Sequence, residues 1–513
     1  MSRRSIYVIL AFATLLMVTI SSVTVMAQLQ VSKSFVKGSD WDDWVKGVLA
    51  LDSNTIVVYG NRYRSLLVAK IDVQQGTALW AKIIGDPNSG DFGDWPEVRD
   101  AVYDGSYVYI AGYGNIGGGR QLTAAKIDPS NGNVVWFAYL NVSSTRGLGV
   151  TVAGNYVIVV GDTKDFGADN RDAIIVVIDK NTGNLVKVYR FDLGTATDGS
   201  EEYFVDVVYK NGKLYFAGMS TAIDSSYDVV VAIATISSDG SITIEKVFDY
   251  GKAGEYEIAA YGGTKNSGSA IQVDDGGYVW LLIEYHDSNG KKSIIVARFS
   301  SDLSNIVFSK HIWFASDPDH ELCPNGIVVV PLSASAYVVG NEWAEDYGWK
   351  EYSWIIRVDG NGSVAEKYAI HKSNWSTKYG AHGIDVYGDV NNFVLFVDGD
   401  TGDTQSDLVL EDLEQAVNRN ISVDDWQTTL SDATSSSSLI DVTSDASSTY
   451  TTQPPAISDI DCNAPANNDN TNVVVLTELT PPPPIPEMNY VTLMVVVAVI
   501  VLATAIYMIS RKL

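Results

Sequence analysis

The chain has 513 residues, 46% of them hydrophobic, and a formal net charge of -27. So acidic a balance argues against a nucleic-acid partner, which needs basic surface to displace counterions. Two cysteines, Cys323 and Cys462, are too few and too far apart for a disulfide-built scaffold, and the sequence leaves open whether they pair or stay free.

The N-terminus reads as a secretory signal. Arg3 and Arg4 precede an apolar run from Ile6 to Ile20, and Val25-Met26-Ala27 offers compact residues for cleavage near Ala27. Residues 1–27 are therefore expected to be removed; an uncleaved anchor is the competing reading.

Beyond this point the chain predicts an all-β fold. Short runs rich in Val, Ile, Tyr and Ala alternate with Gly, Asn and Asp turns, with no long helical period before the C-terminal apolar segment. Asn54 to Gly60 (NTIVVYG), Ser106 to Gly112 (SYVYIAG), Asn155 to Gly161 (NYVIVVG), Lys213 to Gly218 (KLYFAG) and Ala336 to Gly340 (AYVVG) fall into register. A second element follows each, as in Val68 to Asp72 (VAKID) and Ala124 to Asp128 (AAKID). Its closing Asp recurs at Asp72, Asp128, Asp179, Asp239, Asp302 and Asp359, at spacings of 56, 51, 60, 63 and 57. A repeat of that length carrying four strands is one propeller blade.

First strands near Val45, Val98, Leu148, Phe204, Ala270, Gly326 and Gly383 predict seven blades over residues 28–415. The last has Asn392 to Val397 and Leu408 to Leu413 but no fourth strand, while Leu29 to Phe35 is spare at the other end. The N-terminal strand is therefore expected to close the ring by completing the last blade, hiding two sheet edges.

The turn Asp72 to Trp80 resembles the Asp-x-x-x-Gly-x-x-x-Trp unit of pyrroloquinoline-quinone-type propeller repeats, and Asp128 to Trp136 repeats it. Asp179 to Lys187 keeps Asp179 and Gly183 and loses the Trp. The unit is similar to seven-bladed repeats on bacterial and archaeal surface proteins, which implies an envelope location. The simpler role for these residues is a tight Asp-Gly turn with a Trp packed between blades.

Residues 416–489 read as a disordered stalk. Ser and Thr fill 15 of the 25 positions from Thr428 to Thr452, too little apolar surface for independent folding. Residues 490–509 carry no charge and match the length of a single transmembrane helix. The basic tail at 510–513 predicts a cytoplasmic end and an outer N-terminal domain. Pro486-Glu487 before this segment resembles the sorting tails processed by exosortase and archaeosortase enzymes, although Met488 departs from their motif. That resemblance implies exchange of the helix for a lipid anchor.

In a propeller, the loops into each blade and those between its second and third strands share one face. Here these loops hold Trp41, Trp44, Asp94, Trp95, Trp343, Asp346, Trp349 and Trp375, whereas the opposite turns are short. Flat rings with carboxylates suit a surface glycan or a docked envelope protein. Packing of the Trp residues beneath their own loops is the plain alternative.

Asp398, Asp400 and Asp403, and the stretch Asp162 to Asp172, resemble calcium-loop spacing without completing it, so calcium competes with solvated turns. Asp319 to Cys323 is expected to be a loop and not a zinc site. Asn141, Asn361, Asn374 and Asn420 head glycosylation sequons. No nucleophile elbow, phosphate loop or zinc helix stands out. The sequence therefore points to binding or adhesion, with an ectoenzyme on polysaccharide or a quinone-linked substrate, or a structural envelope component, as alternatives.

Overall fold

Alternation of β-branched residues with Asp-Gly turns produces antiparallel sheets almost throughout the computed structural model. It describes residues 29–37, most of 43–400, and parts of 421–478. The chain divides into a unit of Val31–Leu476 and a second of Met1–Gln30 with Thr477–Leu513. The signal at 1–27, the apolar span at 490–509 and the tail at 510–513 lie outside the described residues. Among the described residues no helix is long and apolar enough to cross a membrane.

Six blades each consist of four antiparallel strands taken consecutively. Blade 1 is Asp43–Ala50, Thr55–Arg62, Ser65–Asp72 and Thr77–Ile84. Blade 2 is Glu97–Tyr103, Val108–Gly114, Gln121–Ile127 and Val134–Leu140. Blade 3 is Thr145–Ala153, Tyr156–Thr163, Asp172–Asp179 and Leu185–Asp192. Blade 4 is Glu202–Lys210, Lys213–Ser220, Asp228–Ile236 and Ile242–Gly251. In blade 5, Tyr256–Ala259 and Ile271–Val273 share the first place, before Val279–His286, Lys292–Phe299 and Ile306–Phe314. Blade 6 is His320–Val329, Ser335–Ala344, Lys350–Asp359 and Val364–Ile370.

The expectation of seven such blades is corrected to six. The remaining sheet is composite, with the order Leu29–Lys37, Thr471–Glu478, Phe393–Asp400, Gly380–Gly388. The N-terminal strand joins this last sheet as expected. Its neighbour is Thr471–Glu478, which belongs to the segment read as stalk; Leu408 to Leu413 lies outside the described residues. First strands touch their neighbours in turn around the axis, and Gly380–Gly388 closes the ring against Asp43–Ala50.

Parts of the segment read as a stalk pair with the blades. Ile421–Asp425 pairs with the outer strand of blade 5, Thr429–Asp432 with blade 4, and Ser438–Asp441 with blade 3. Tyr450–Thr451 then pairs with blade 2 and Ile457–Asp459 with blade 1. The C-terminal segment is thus a belt running backwards around the ring and covering one outer edge after another. Its strands of two to five residues are too short to show a period. They need no core of their own, because each blade edge offers unpaired backbone groups. Beside blade 3, Val442 and Ala446 enter the blade's apolar cluster, and Tyr450 Oη donates to the Gly183 carbonyl at 2.7 Å.

Apolar faces of adjacent sheets fill the core, including fully buried Trp280, Trp354, Phe137 and Phe204. The repeated Gly at the end of the second strand has a steric cause. A Cβ at Gly112, Gly161 or Gly218 would lie 1.9, 1.8 or 1.9 Å from a carbonyl oxygen of the first strand. Only glycine lets the two strands approach this closely.

The Asp-Gly-Trp unit is an inter-blade lock, as its residues suggest. Asp128 accepts from Ser130 N at 2.8 Å, and Gly132 takes φ +74. The Trp80 ring of the preceding blade lies flush against Gly132, 2.7 Å from where a Cβ would stand, and its Nε1 donates to the Pro129 carbonyl at 3.0 Å. Trp136 repeats this on Gly183, with Nε1 donating to the Lys180 carbonyl at 3.1 Å. Where the Trp is lost, Val186 covers Gly240.

Candidate functional site: a charged network beneath the loop face

First and third strands begin, and second and fourth strands end, at the same face as the long loops. Ionisable side chains accumulate there in linked pairs. Lys46 Nζ lies 3.7 Å from Glu97, and Arg99 Nε lies 2.8 Å from the same carboxylate. Tyr113 Oη donates to Glu97 at 2.9 Å, and the guanidiniums of Arg99 and Arg120 each stand 5.5 Å from the Tyr113 ring centroid.

One blade further on, fully buried Asp162 accepts from Arg146 Nε at 2.6 Å and from Arg171 Nη1. Arg146 also faces the Tyr203 ring at 5.6 Å. Glu201 accepts from Tyr203 at 2.6 Å, from Tyr227 at 2.7 Å and from Asn170 at 3.2 Å. Although burial works the other way, these bonds and the nearby Arg171 charge hold the Glu201 carboxyl below its usual range. Burial beside Asp172 pushes Glu202 up to about 7, and Arg190 pairs with Asp172.

Blade 5 contributes a smaller group. Glu284 bonds to His286 at 2.6 Å and lies 3.3 Å from Lys292, while His286 stacks on Tyr256 at 4.4 Å. Burial raises Glu284 and these partners lower it, with a net downward shift.

Below this face, Asp100, Asp206 and Asp385 of the innermost strands reach across to neighbouring blades. Asp100 Oδ2 accepts from Val150 N at 2.7 Å and Asp385 Oδ2 from Ala50 N at 2.7 Å. Asp206 Oδ2 accepts from Ala270 N at 2.7 Å, Ile271 N at 3.0 Å and Ser269 Oγ at 2.9 Å. Asp100 and Asp385 keep some solvent exposure although protein encloses them, as expected for groups facing the narrow axial space. Burial raises all three; the fields of Asp206 and Asp385 add to the rise at Asp100, and Asp385 reaches about 6.

Trp41, Asp94, Trp95, Asp346, Trp349, Trp375, Asp403, Asn374 and Asn420 lie outside the described residues, as do the side chains of Trp44, Trp343, Asp398 and Asp400. Asn141 and Asn361 are exposed. Asp162 and Asp172, read as ends of a solvated or calcium-like turn, instead bind arginines. His320–Val329 is a strand where Asp319 to Cys323 was expected to be a loop. Among the described residues no cluster suited to a metal ion occurs.

The arginine network escaped the sequence reading because its members are scattered singly. Their shared position at loop-face strand ends is a usable signal only once strand order is known.

No family model matches the chain, and no curated protein matches it. Among solved structures, it is similar to a subtype N10 neuraminidase-like protein from a little yellow-shouldered bat isolate of Guatemala. That match has 8% identity and a TM-score of 0.37, covering 72% of this chain and 95% of that one. A Synechocystis apocarotenoid oxygenase variant matches at 10% identity and a TM-score of 0.36, covering 67% of this chain and 78% of that one. With TM-scores this low, the propeller assignment rests on the strand pairing described above.

Proposed function

We propose that this chain is a binding module of the cell surface, secreted through its N-terminal signal and held by its C-terminal apolar segment. Its loop face takes the ligand, a surface glycan or a neighbouring envelope protein. One observation carries this reading: the strand ends beneath the long loops are tied by buried ion pairs such as Asp162 with Arg146 and Arg171, whereas the opposite face consists of short turns. Such ties hold loop roots in fixed positions, a precondition for a preorganised binding surface.

The test is a glycan array and an envelope-extract capture with a soluble form of residues 28–478, with and without calcium. The form must extend to Glu478 because the belt belongs to the ring. Saturable binding that is lost on combined Trp343→Ala and Trp349→Ala substitution supports the reading. Binding unchanged by that pair but lost with turn-face variants refutes it.

An ectoenzyme acting on polysaccharide is the second reading, and it draws on Glu202, whose raised carboxyl holds a proton near neutrality. Release of new reducing ends, abolished by Glu202→Gln, would favour it.

A further inference from the structure

We propose that the belt is a detachable strap that opens and closes on a ring that stays folded. It is pinned at blade 3 and clasped to blades 1, 3, 4 and 5 by one repeated Asp–Lys contact. The inference is independent of what the loop face binds.

The belt carries a repeat of its own. From Ile421 to Asp459 it holds six Asp and no Glu, Lys or Arg. Four of the six close its short strands: Asp425, Asp432, Asp441 and Asp459. Each meets the same place on its blade. Trp80 stands beside a register shift between the third and fourth strands of blade 1, and Lys187, Lys246 and Phe308 hold that position in blades 3, 4 and 5. Two residues further along are Lys82, Tyr189, Phe248 and Lys310. These are the partners of Asp459, Asp441, Asp432 and Asp425.

A lysine accompanies each of these four stations. Lys82 and Lys310 lie directly opposite Asp459 and Asp425, and directly opposite residues of an antiparallel pair share one side of the sheet. Lys187 and Lys246 lie two residues before the partners of Asp441 and Asp432. At blade 3 the contact is formed: Lys187 Nζ donates to Asp441 at 3.1 Å, and this bond holds the lysine above its ordinary range. Lys246 stands to Asp432 in register as Lys187 stands to Asp441, and also donates to the Asp302 carbonyl at 3.1 Å. Blade 2 is the internal control. Its outer strand Val134–Leu140 has no lysine, and the belt strand Tyr450–Thr451 has no Asp.

Blade 3 also pins the belt by other means. Val442 and Ala446 are buried in its apolar cluster. Val442 N donates to the Val188 carbonyl at 2.9 Å, and Thr443 Oγ1 accepts from Val188 N at 2.9 Å. Elsewhere the belt strands have two to five residues, each paired along one edge only. Exposed ion pairs contribute little individually, so stations of this kind open as small local units. Opening uncovers an outer blade edge, to which a partner's extended strand could pair.

The test is hydrogen exchange of the full chain, read by mass spectrometry. Peptides covering Ile421–Asp425 and Ile457–Asp459 should exchange at least about tenfold faster than second strands such as Tyr156–Thr163, with Ser438–Asp441 in between. Lys82→Asp should speed exchange at Ile457–Asp459 about three- to fivefold and leave the ring unchanged, and adding Asp459→Lys should restore the original rate. Lys187→Asp with Asp441→Lys is the reference swap, because that pair is formed. Belt amides that exchange only together with ring amides overturn the strap. A Lys82→Asp variant without effect, or one that Asp459→Lys fails to restore, overturns the clasp.

Discussion

The two faces of this ring are held together by different physics. The turn face relies on shape: Trp80 and Trp136 lie on glycines of the next blade, and turn carboxylates cap their own backbone. Its cations belong to similar local locks, as where Arg298 lies 3.9 Å from the Tyr278 ring and 2.6 Å from Asp274. The loop face relies on charge, with buried Glu97 and Asp162 each bridging two cations. A shape-based lock is indifferent to salt and tolerates no change of volume. A charge-based lock costs desolvation and adds little net stability, so its retention at one face suggests a role in orienting groups.

Substitutions should separate the two. Trp136→Ala should cost about 3–5 kcal/mol in denaturant unfolding, through loss of a buried aromatic and its lock, with ligand affinity unchanged per folded molecule. Gly161→Ala drives a Cβ into the Arg146 carbonyl and should cost about 3 kcal/mol while also disturbing the loop face, since Arg146 moves with its strand. A turn-face change as severe in affinity as Gly161→Ala would erase the distinction.

Acidity offers a smaller test. Asp385 and Glu202 titrate higher in the folded chain than an ordinary carboxylate, near 6 and 7. Their ionisation therefore works against the fold, so their contribution is complete below about pH 4 and is lost as pH rises through those values. The thermal midpoint should rise on acidification from about pH 7 to about pH 5, and Asp385→Asn should remove about 1 kcal/mol of that gain. A midpoint that falls over this window contradicts the axial account. The smallest expected effect is in the belt: Tyr450→Phe removes one bond to Gly183 and should cost about 1 kcal/mol, read from the urea midpoint.

Much of the turn face was legible in sequence, because an Asp, a Gly and a Trp at fixed offsets carry both turn and lock. Blade starts were legible for the same reason, as strand pattern and turn punctuation coincide at Val98, Leu148 and Phe204. The belt was not, because Ser438–Asp441 and Ile457–Asp459 take their structure from the blade edges they cover. Nor was the charge network: Asp162 and Arg171 read as parts of a polar loop until strand order places Asp162 between Arg146 and Arg171.

The most direct test of the loop face as the functional surface is a paired affinity measurement on folded protein. One arm carries Trp343→Ala with Trp349→Ala, and the other carries Lys70→Ala with Lys180→Ala on the turn face. Against envelope extract and the glycan array, the first arm should lose most binding and the second should match the unaltered chain. Equal losses in both arms, or loss only in the second, would contradict the assignment of function to the loop face.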